Sequence, residues 1–162
     1  FKQFKQAFDD NNSSKLSLAN SKARLRMTAL YMVSGTQNGL VVGTGNKVED
    51  FGVGFFTKYG DGGVDISPIA DLMKSEVYLL GKQLDIIKEI MDASPTDGLW
   101  EDGRSDEFQL NATYDEIEWA MKNEDCEEEL WNERQQEVFE IYLDLQDKNL
   151  HKMGPIPTFK KK

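Results

Sequence analysis

The sequence is poor in sulfur and imidazole: one cysteine, Cys126, and one histidine, His151, in 162 residues. A lone thiol cannot close an internal disulfide, so a reducing compartment, the cytoplasm, is expected. One His and one Cys cannot make a four-ligand zinc site. They do not suggest a nucleophile pair either, because Cys126 lies among acids, which do not activate a thiol. Cationic excess is lacking as well. The 19 Lys and Arg against 29 Asp and Glu leave a formal charge of −10, which argues against a general nucleic-acid surface. No run approaches the roughly 20 apolar residues of a membrane span. The first residues, Phe1-Lys2-Gln3-Phe4-Lys5, lack a Met and do not read as a signal peptide, so a cut end is expected.

What is present is globular in kind. Hydrophobic residues make up 39% and charged residues 30%, and the length suits one domain with a sizeable core. The negative charge is local. Between Glu101 and Asp144, 16 acids stand against Arg104, Lys122 and Arg134, which is −13 and leaves +3 for the remainder. A charge block of this kind reads first as a solvated helical face.

Periodicity organises the chain. Phe1 to Phe8 reads as a short amphipathic helix and Asp9 to Lys15 as a polar loop. Helical spacing over Leu18 to Val33 predicts a helix, stopped by Ser34-Gly35-Thr36-Gln37-Asn38-Gly39. Leu40 to Thr44 is a short apolar run that predicts a strand buried on both faces of a parallel sheet, hence an α/β layer. Gly43 to Gly63 holds seven glycines and reads as loop. Val64 to Ile69 reads as extended. Asp71 is a candidate N-cap for a helix through Leu84, and Ile86 to Met91 is a second short one. Ser94 to Leu110 is a long loop, suited to a lid. Thr113-Tyr114-Asp115-Glu116 is a capping box that starts a helix. Val138, Ile141, Tyr142 and Leu145 mark a last helix, and His151 to Lys162 reads as a tail.

The chemistry concentrates in the glycine-rich stretch. Thr44 at a strand end presents a hydroxyl to a crevice. Glu49 is a hard oxygen ligand suited to Mg²⁺ bridged to phosphates, and Lys58 and Lys74 offset phosphate charge. A nucleotide or phosphate site follows on this reading. The competing one is a structural loop, with Thr44 ending a strand, Glu49 at a helix dipole, Lys58 paired with Asp65, and Lys74 solvated.

Gly43-Thr44-Gly45-Asn46-Lys47-Val48-Glu49-Asp50, Phe56-Thr57-Lys58-Tyr59-Gly60-Asp61-Gly62-Gly63 and Pro68-Ile69-Ala70-Asp71-Leu72-Met73-Lys74 closely resemble the ammonia-dependent NAD synthetase family. So do Asn20 to Met27, Ser94 to Trp100, Ser105-Asp106-Glu107 and the pair His151-Lys152, which together cover about Leu18 to Lys152. The resemblance implies a doubly wound parallel α/β sheet of the adenine nucleotide alpha hydrolase kind. It also implies Mg²⁺-dependent, ATP-driven amidation of deamido-NAD by ammonia through an adenylate, in a homodimer with no nucleic-acid or membrane partner. On the same grounds Thr44, Lys74 and Thr96 are expected at ATP and Glu49 at Mg²⁺. Lys74 and Glu49 are the expected catalytic pair, and Arg24, Lys58, Asp65, His151 and Lys152 are expected at deamido-NAD. The implied layout is a core over 18–100, a mobile loop over 94–110, acidic helices over 113–150 and a tail over 151–162.

The pattern also departs from the family. Its Ser-Gly-Gly-x-Asp-Ser phosphate loop has no match here, which implies an incomplete domain that corresponds to the C-terminal three-fifths of a synthetase and is inactive by itself. Met73 stands where the family often has Thr, and Asn111 where it has Gly. The alternative on sequence is a non-catalytic nucleotide-binding or dimerisation fragment, while another ATP pyrophosphatase, such as a GMP synthetase, is disfavoured by the Lys58 to Asp65 loop.

Overall fold

A computed structural model describes residues 1–7, 13–126 and 130–161. Phe8, most of the 9–15 loop and Glu127 to Glu129 lie outside the described residues. Seven α-helices are described: α1 (Lys2–Ala7), α2 (Lys15–Gln37), α3 (Lys74–Gln83), α4 (Lys88–Met91), α5 (Asp106–Leu110), α6 (Tyr114–Lys122) and α7 (Glu133–Met153). A π-turn spans Val48–Gly52.

The long helix α2 starts where the Ser14 hydroxyl accepts the Ser17 N–H. It runs through Gly35, past the expected stop. Asn38 ends it by adopting the left-handed conformation (φ 51°), and the Gly39 N–H returns to the Ser34 carbonyl at 2.8 Å. Only Ala19 and Ala23 of α2 are buried.

The expected strands are nearly absent. Among the described residues the sheet is reduced to one parallel bridge, Val42 with Ile66. Gly43 N–H donates to the Ile66 carbonyl (2.7 Å) and Asp65 N–H to the Val41 carbonyl (2.9 Å). Val41 is buried, but Leu40 and Val42 are 64% and 54% exposed, so this run is not buried on both faces. A parallel strand is covered on both faces only where elements pack above and below it. Among the described residues no such cover lies over Leu40 and Val42, and no doubly wound sheet is formed.

The core sits elsewhere. It gathers Val48 of the π-turn and Val53 just after it, Leu110 at the end of α5 and Ala112 beyond it, Tyr114, Ile117 and Ala120 of α6, and Val138, Phe139 and Tyr142 of α7. The capping box at Thr113 forms as expected, with Glu116 accepting the Thr113 N–H at 2.8 Å. Asn132 and Gln135 cap α7 in the same way. The last helix continues beyond the expected tail boundary, so His151 and Lys152 lie in its final turn. Asn149 donates to the Val53 carbonyl and Lys152 to the Phe56 carbonyl, both at 2.8 Å, and these contacts dock that turn on the glycine-rich segment.

One acid departs from the solvated-face expectation. Glu118 is only 4% exposed, and its carboxylate accepts the Ser75 N–H (2.8 Å) and hydroxyl (2.7 Å) at the start of α3. It neutralises helix-start donors that would otherwise be unpaired.

Candidate functional site

The glycine-rich segment builds the first group of site residues. Asn46 is buried, and its side-chain oxygen accepts the N–H groups of Val48 (3.1 Å) and Glu49 (3.2 Å). That bond opens the π-turn and aims Glu49 at α3 and α6. Lys74 donates to Glu49 Oε1 at 2.9 Å, and the Tyr114 hydroxyl donates to the same oxygen at 2.6 Å. The Lys74 ammonium also lies 4.4 Å from the centroid of the Tyr114 ring. Asp106 Oδ2 sits 3.4 Å from that hydroxyl, while Asp106 Oδ1 is buried without a hydrogen-bond partner.

The electrostatics of this group are tight. Burial, then the Glu49 charge, pushes Asp106 above the usual carboxylate range. Asp50, the next residue along, is pushed up to about 6 by burial first and by Glu49 and Asp61 after it. The Tyr114 phenol is driven upward by burial and by Glu49, so it stays a proton donor. Glu49 and Asp106 thus meet around the Tyr114 hydroxyl, with the Lys74 ammonium bonded to Glu49.

The second group lines a cavity of about 390 Å³ between α2, the glycine-rich segment, the 94–110 segment and the end of α7. Arg24, Lys58, His151 and Lys152 all line it. Arg24 Nε donates to the Lys58 carbonyl (3.2 Å), and Lys58 Nζ donates to the His151 carbonyl. Phe55, Phe56 and Trp100 give the cavity aromatic walls. Lys152 lies 5.1 Å from the Phe56 ring centroid, and burial lowers its pKa. Cations beside aromatic faces suit a ligand with phosphates and planar rings.

The other expected residues lie apart. Asp65 is fully engaged in local structure: its Oδ1 accepts the Tyr31 hydroxyl (3.0 Å) and its Oδ2 the Val41 N–H (2.8 Å). It ties α2 to the bridge and is not among the cavity-lining residues. Thr44 and Thr96 are exposed. Gly43 and Gly45, on either side of Thr44, line a smaller cavity of about 170 Å³ with Asp50, Asp61 and Lys152. Sequence reasoning did not single out Tyr114, Asp106 or Trp100. Tyr114 and Asp106 had a signal, as the first helical residue of the capping box and part of the loop motif, but nothing in either marked contact with Glu49.

Comparisons with known proteins agree on one family. The NAD synthase sequence profile matches residues 1–155. The ammonia-dependent NAD(+) synthetase of Mesoplasma florum is 44% identical over 126 residues, which is 76% of this chain and 51% of that protein. The structure of the NMN synthetase of Francisella tularensis superposes with a TM-score of 0.82 at 33% identity, covering 98% of this chain and 63% of that one. The ammonia-dependent NAD synthetase of Campylobacter jejuni gives a TM-score of 0.71 at 27% identity, with 99% and 63% coverage. The chain spans about half the length of the curated relatives it matches. With the hallmark segments, the site geometry and these similarities together, the chain belongs to the NAD synthase family.

Proposed function

We propose that the protein carrying this chain is a carbon–nitrogen ligase of NAD biosynthesis that amidates deamido-NAD with ammonia. In the first half-reaction the nicotinate carboxylate attacks the α-phosphate of ATP and pyrophosphate leaves. In the second, ammonia adds to the adenylated carboxyl carbon and AMP leaves. The supporting observation is the convergence of Arg24, Lys58, His151 and Lys152 on one aromatic-walled cavity.

The roles follow from charge and position. Arg24, Lys58 and Lys152 bind the phosphates of deamido-NAD, with His151 beside them and Asp65 holding the floor of the bridge. Phe56 and Trp100 stack on its rings. Thr44 and Thr96 contact ATP. Lys74 carries a fixed positive charge toward the ATP phosphates, and such preorganised charge is what phosphoryl chemistry needs most. The donor set suits Mg²⁺. Glu49 is a hard oxygen ligand, and Asp106 Oδ1 is buried and unpartnered beside it. Mg²⁺ asks for one or two carboxylates together with substrate phosphates, although no preformed cluster of three acids occurs among the described residues. When bound, it would screen charge between phosphate oxygens. The same reading includes a doubly wound sheet in the whole protein, a homodimer and a cytoplasmic setting. No helix among the described residues is long and apolar enough to cross a membrane.

A second reading concerns the size of the acid. The likeness to an NMN synthetase favours the mononucleotide, nicotinate mononucleotide, over the dinucleotide. Amidation assays with purified protein, ATP, Mg²⁺ and ammonium decide between them. A higher kcat/KM on deamido-NAD supports the first reading and a higher value on the mononucleotide the second. Failure to amidate either acid overturns both.

A further inference from the structure

Two cations of α2 that carry no expected ligand role make three long-range hydrogen bonds to one short segment. Lys22 Nζ donates to the Leu99 carbonyl at 2.7 Å. Arg26 Nη1 donates to the Asp97 carbonyl at 3.1 Å, and its Nη2 to the Gly98 carbonyl at 2.9 Å. Residues 22 and 26 are four apart and so share a helical stripe, with Ala19 three residues before Lys22. Ala19 itself lines the nucleotide cavity, as do Asp97, Leu99 and Trp100.

The Asp97 carboxylate ties the segment internally into one piece. Asp97 Oδ1 accepts the Leu99 N–H (2.8 Å), and its Oδ2 accepts the Trp100 indole N–H (3.2 Å) and the Gln109 amide (3.1 Å). Gly98 at φ +60° allows the turn that points three successive carbonyls at α2. Carbonyls aligned on two cations make charge-assisted bonds, stronger than the neutral bonds that usually hold loops.

We propose that Lys22 and Arg26 are positioning residues that hold Asp97–Trp100 as a wall of the nucleotide cavity. Neither touches the reacting atoms in this arrangement; both act through the wall. The proposal rests on the cavity being a pyridine-nucleotide site, as argued above.

The test uses the full chain with Lys22→Met, Arg26→Met, the double variant and Lys22→Arg. Amide hydrogen exchange over residues 97–105 and calorimetric titration with deamido-NAD are measured on each. Exchange at Leu99 and Trp100 is expected to quicken roughly ten- to hundredfold in the double variant, with α6 and α7 unchanged. Affinity for deamido-NAD is expected to fall about tenfold, and Lys22→Arg, which keeps a donor, stays near the native value. Unchanged exchange in the double variant overturns the latch. Faster exchange with unchanged affinity overturns the positioning role. If the native chain binds no deamido-NAD while exchange still quickens in the variant, the ligand reading of the cavity falls and the latch stands.

Discussion

At the scale of single residues the site depends on who shares a donor with whom. Lys74 and Glu49 are both mostly buried, with side-chain exposures of 19% and 16%. Loss of either leaves an uncompensated charge out of water. Lys74→Met is therefore expected to lower kcat/KM for ATP by about 10²- to 10³-fold in the amidation assay, the range for one preorganised charge donor. An unchanged kcat/KM would place Lys74 outside the phosphate site. Two of the departures from the family pattern also resolve here. Asn111 sits at φ 57° as the C-cap of α5, a conformation Asn tolerates better than most side chains, so it replaces Gly without breaking the turn. Met73 precedes α3 and gives it no side-chain hydrogen bond. Glu76 accepts the Met73 N–H at 2.7 Å, and Glu118 covers Ser75. Asp65 spends both carboxylate oxygens on local structure, one on the Tyr31 hydroxyl of α2 and one on the Val41 N–H at the bridge.

At the scale of elements, α6 and α7 carry the fold through the aromatic contacts Trp119–Trp131 (centroids 5.2 Å apart) and Trp131–Phe139 (4.7 Å). An Arg134–Glu116 pair closes their outer edge, with Arg134 Nε at 2.8 Å and Nη2 at 2.9 Å from the two carboxylate oxygens. The Arg134 hydrogen bonds, ahead of opposing burial and help from the Thr113 backbone, hold Glu116 down at about 2. A depressed carboxylate adds stability above its unfolded pKa and loses it as the pH drops toward the folded value. Arg134→Met is thus expected to lower the thermal midpoint at pH 7. The gap to the native chain should close between about pH 4.3 and pH 2. A gap that persists unchanged at pH 2 would show that the pair is not its source. These helices were readable beforehand because capping boxes and 3-4 spacing are local signals. The extra turns of α7 were not, because they depend on Asn149 and Lys152 reaching carbonyls about a hundred residues earlier.

At the scale of the molecule the imbalance is between core and surface. The accessible surface is 11728 Å², against about 8,200 Å² for a compact protein of this mass. Large apolar side chains account for part of the excess. Leu30, Met32 and Val33 on α2 are more than half exposed, as are Leu79 on α3 and Leu84, Ile87 and Ile90 around α4. Surfaces of this kind mark interfaces or aggregation sites. Sedimentation velocity at micromolar concentration is expected to show species heavier than 18.5 kDa, and Leu30→Glu with Val33→Glu should reduce them. A sharp monomer at all concentrations would remove the support that these faces lend to a homodimer.

The amino-acid order alone determined the family hallmarks, the helix starts and the local acidity, since each rests on neighbours within a few residues. It also marked Arg24, Lys58, His151 and Lys152 through resemblance, although nothing local joins them. Only the tertiary structure decided that these four meet at one cavity, that Tyr114 and Asp106 attend Glu49, and that Glu118 caps α3 instead of facing water. It also decided that the apolar run at Leu40 to Thr44 pairs only at Val42. The reason is shared. Contacts between residues tens of positions apart or more are set by the packing of whole elements, and no periodicity within a single segment encodes them.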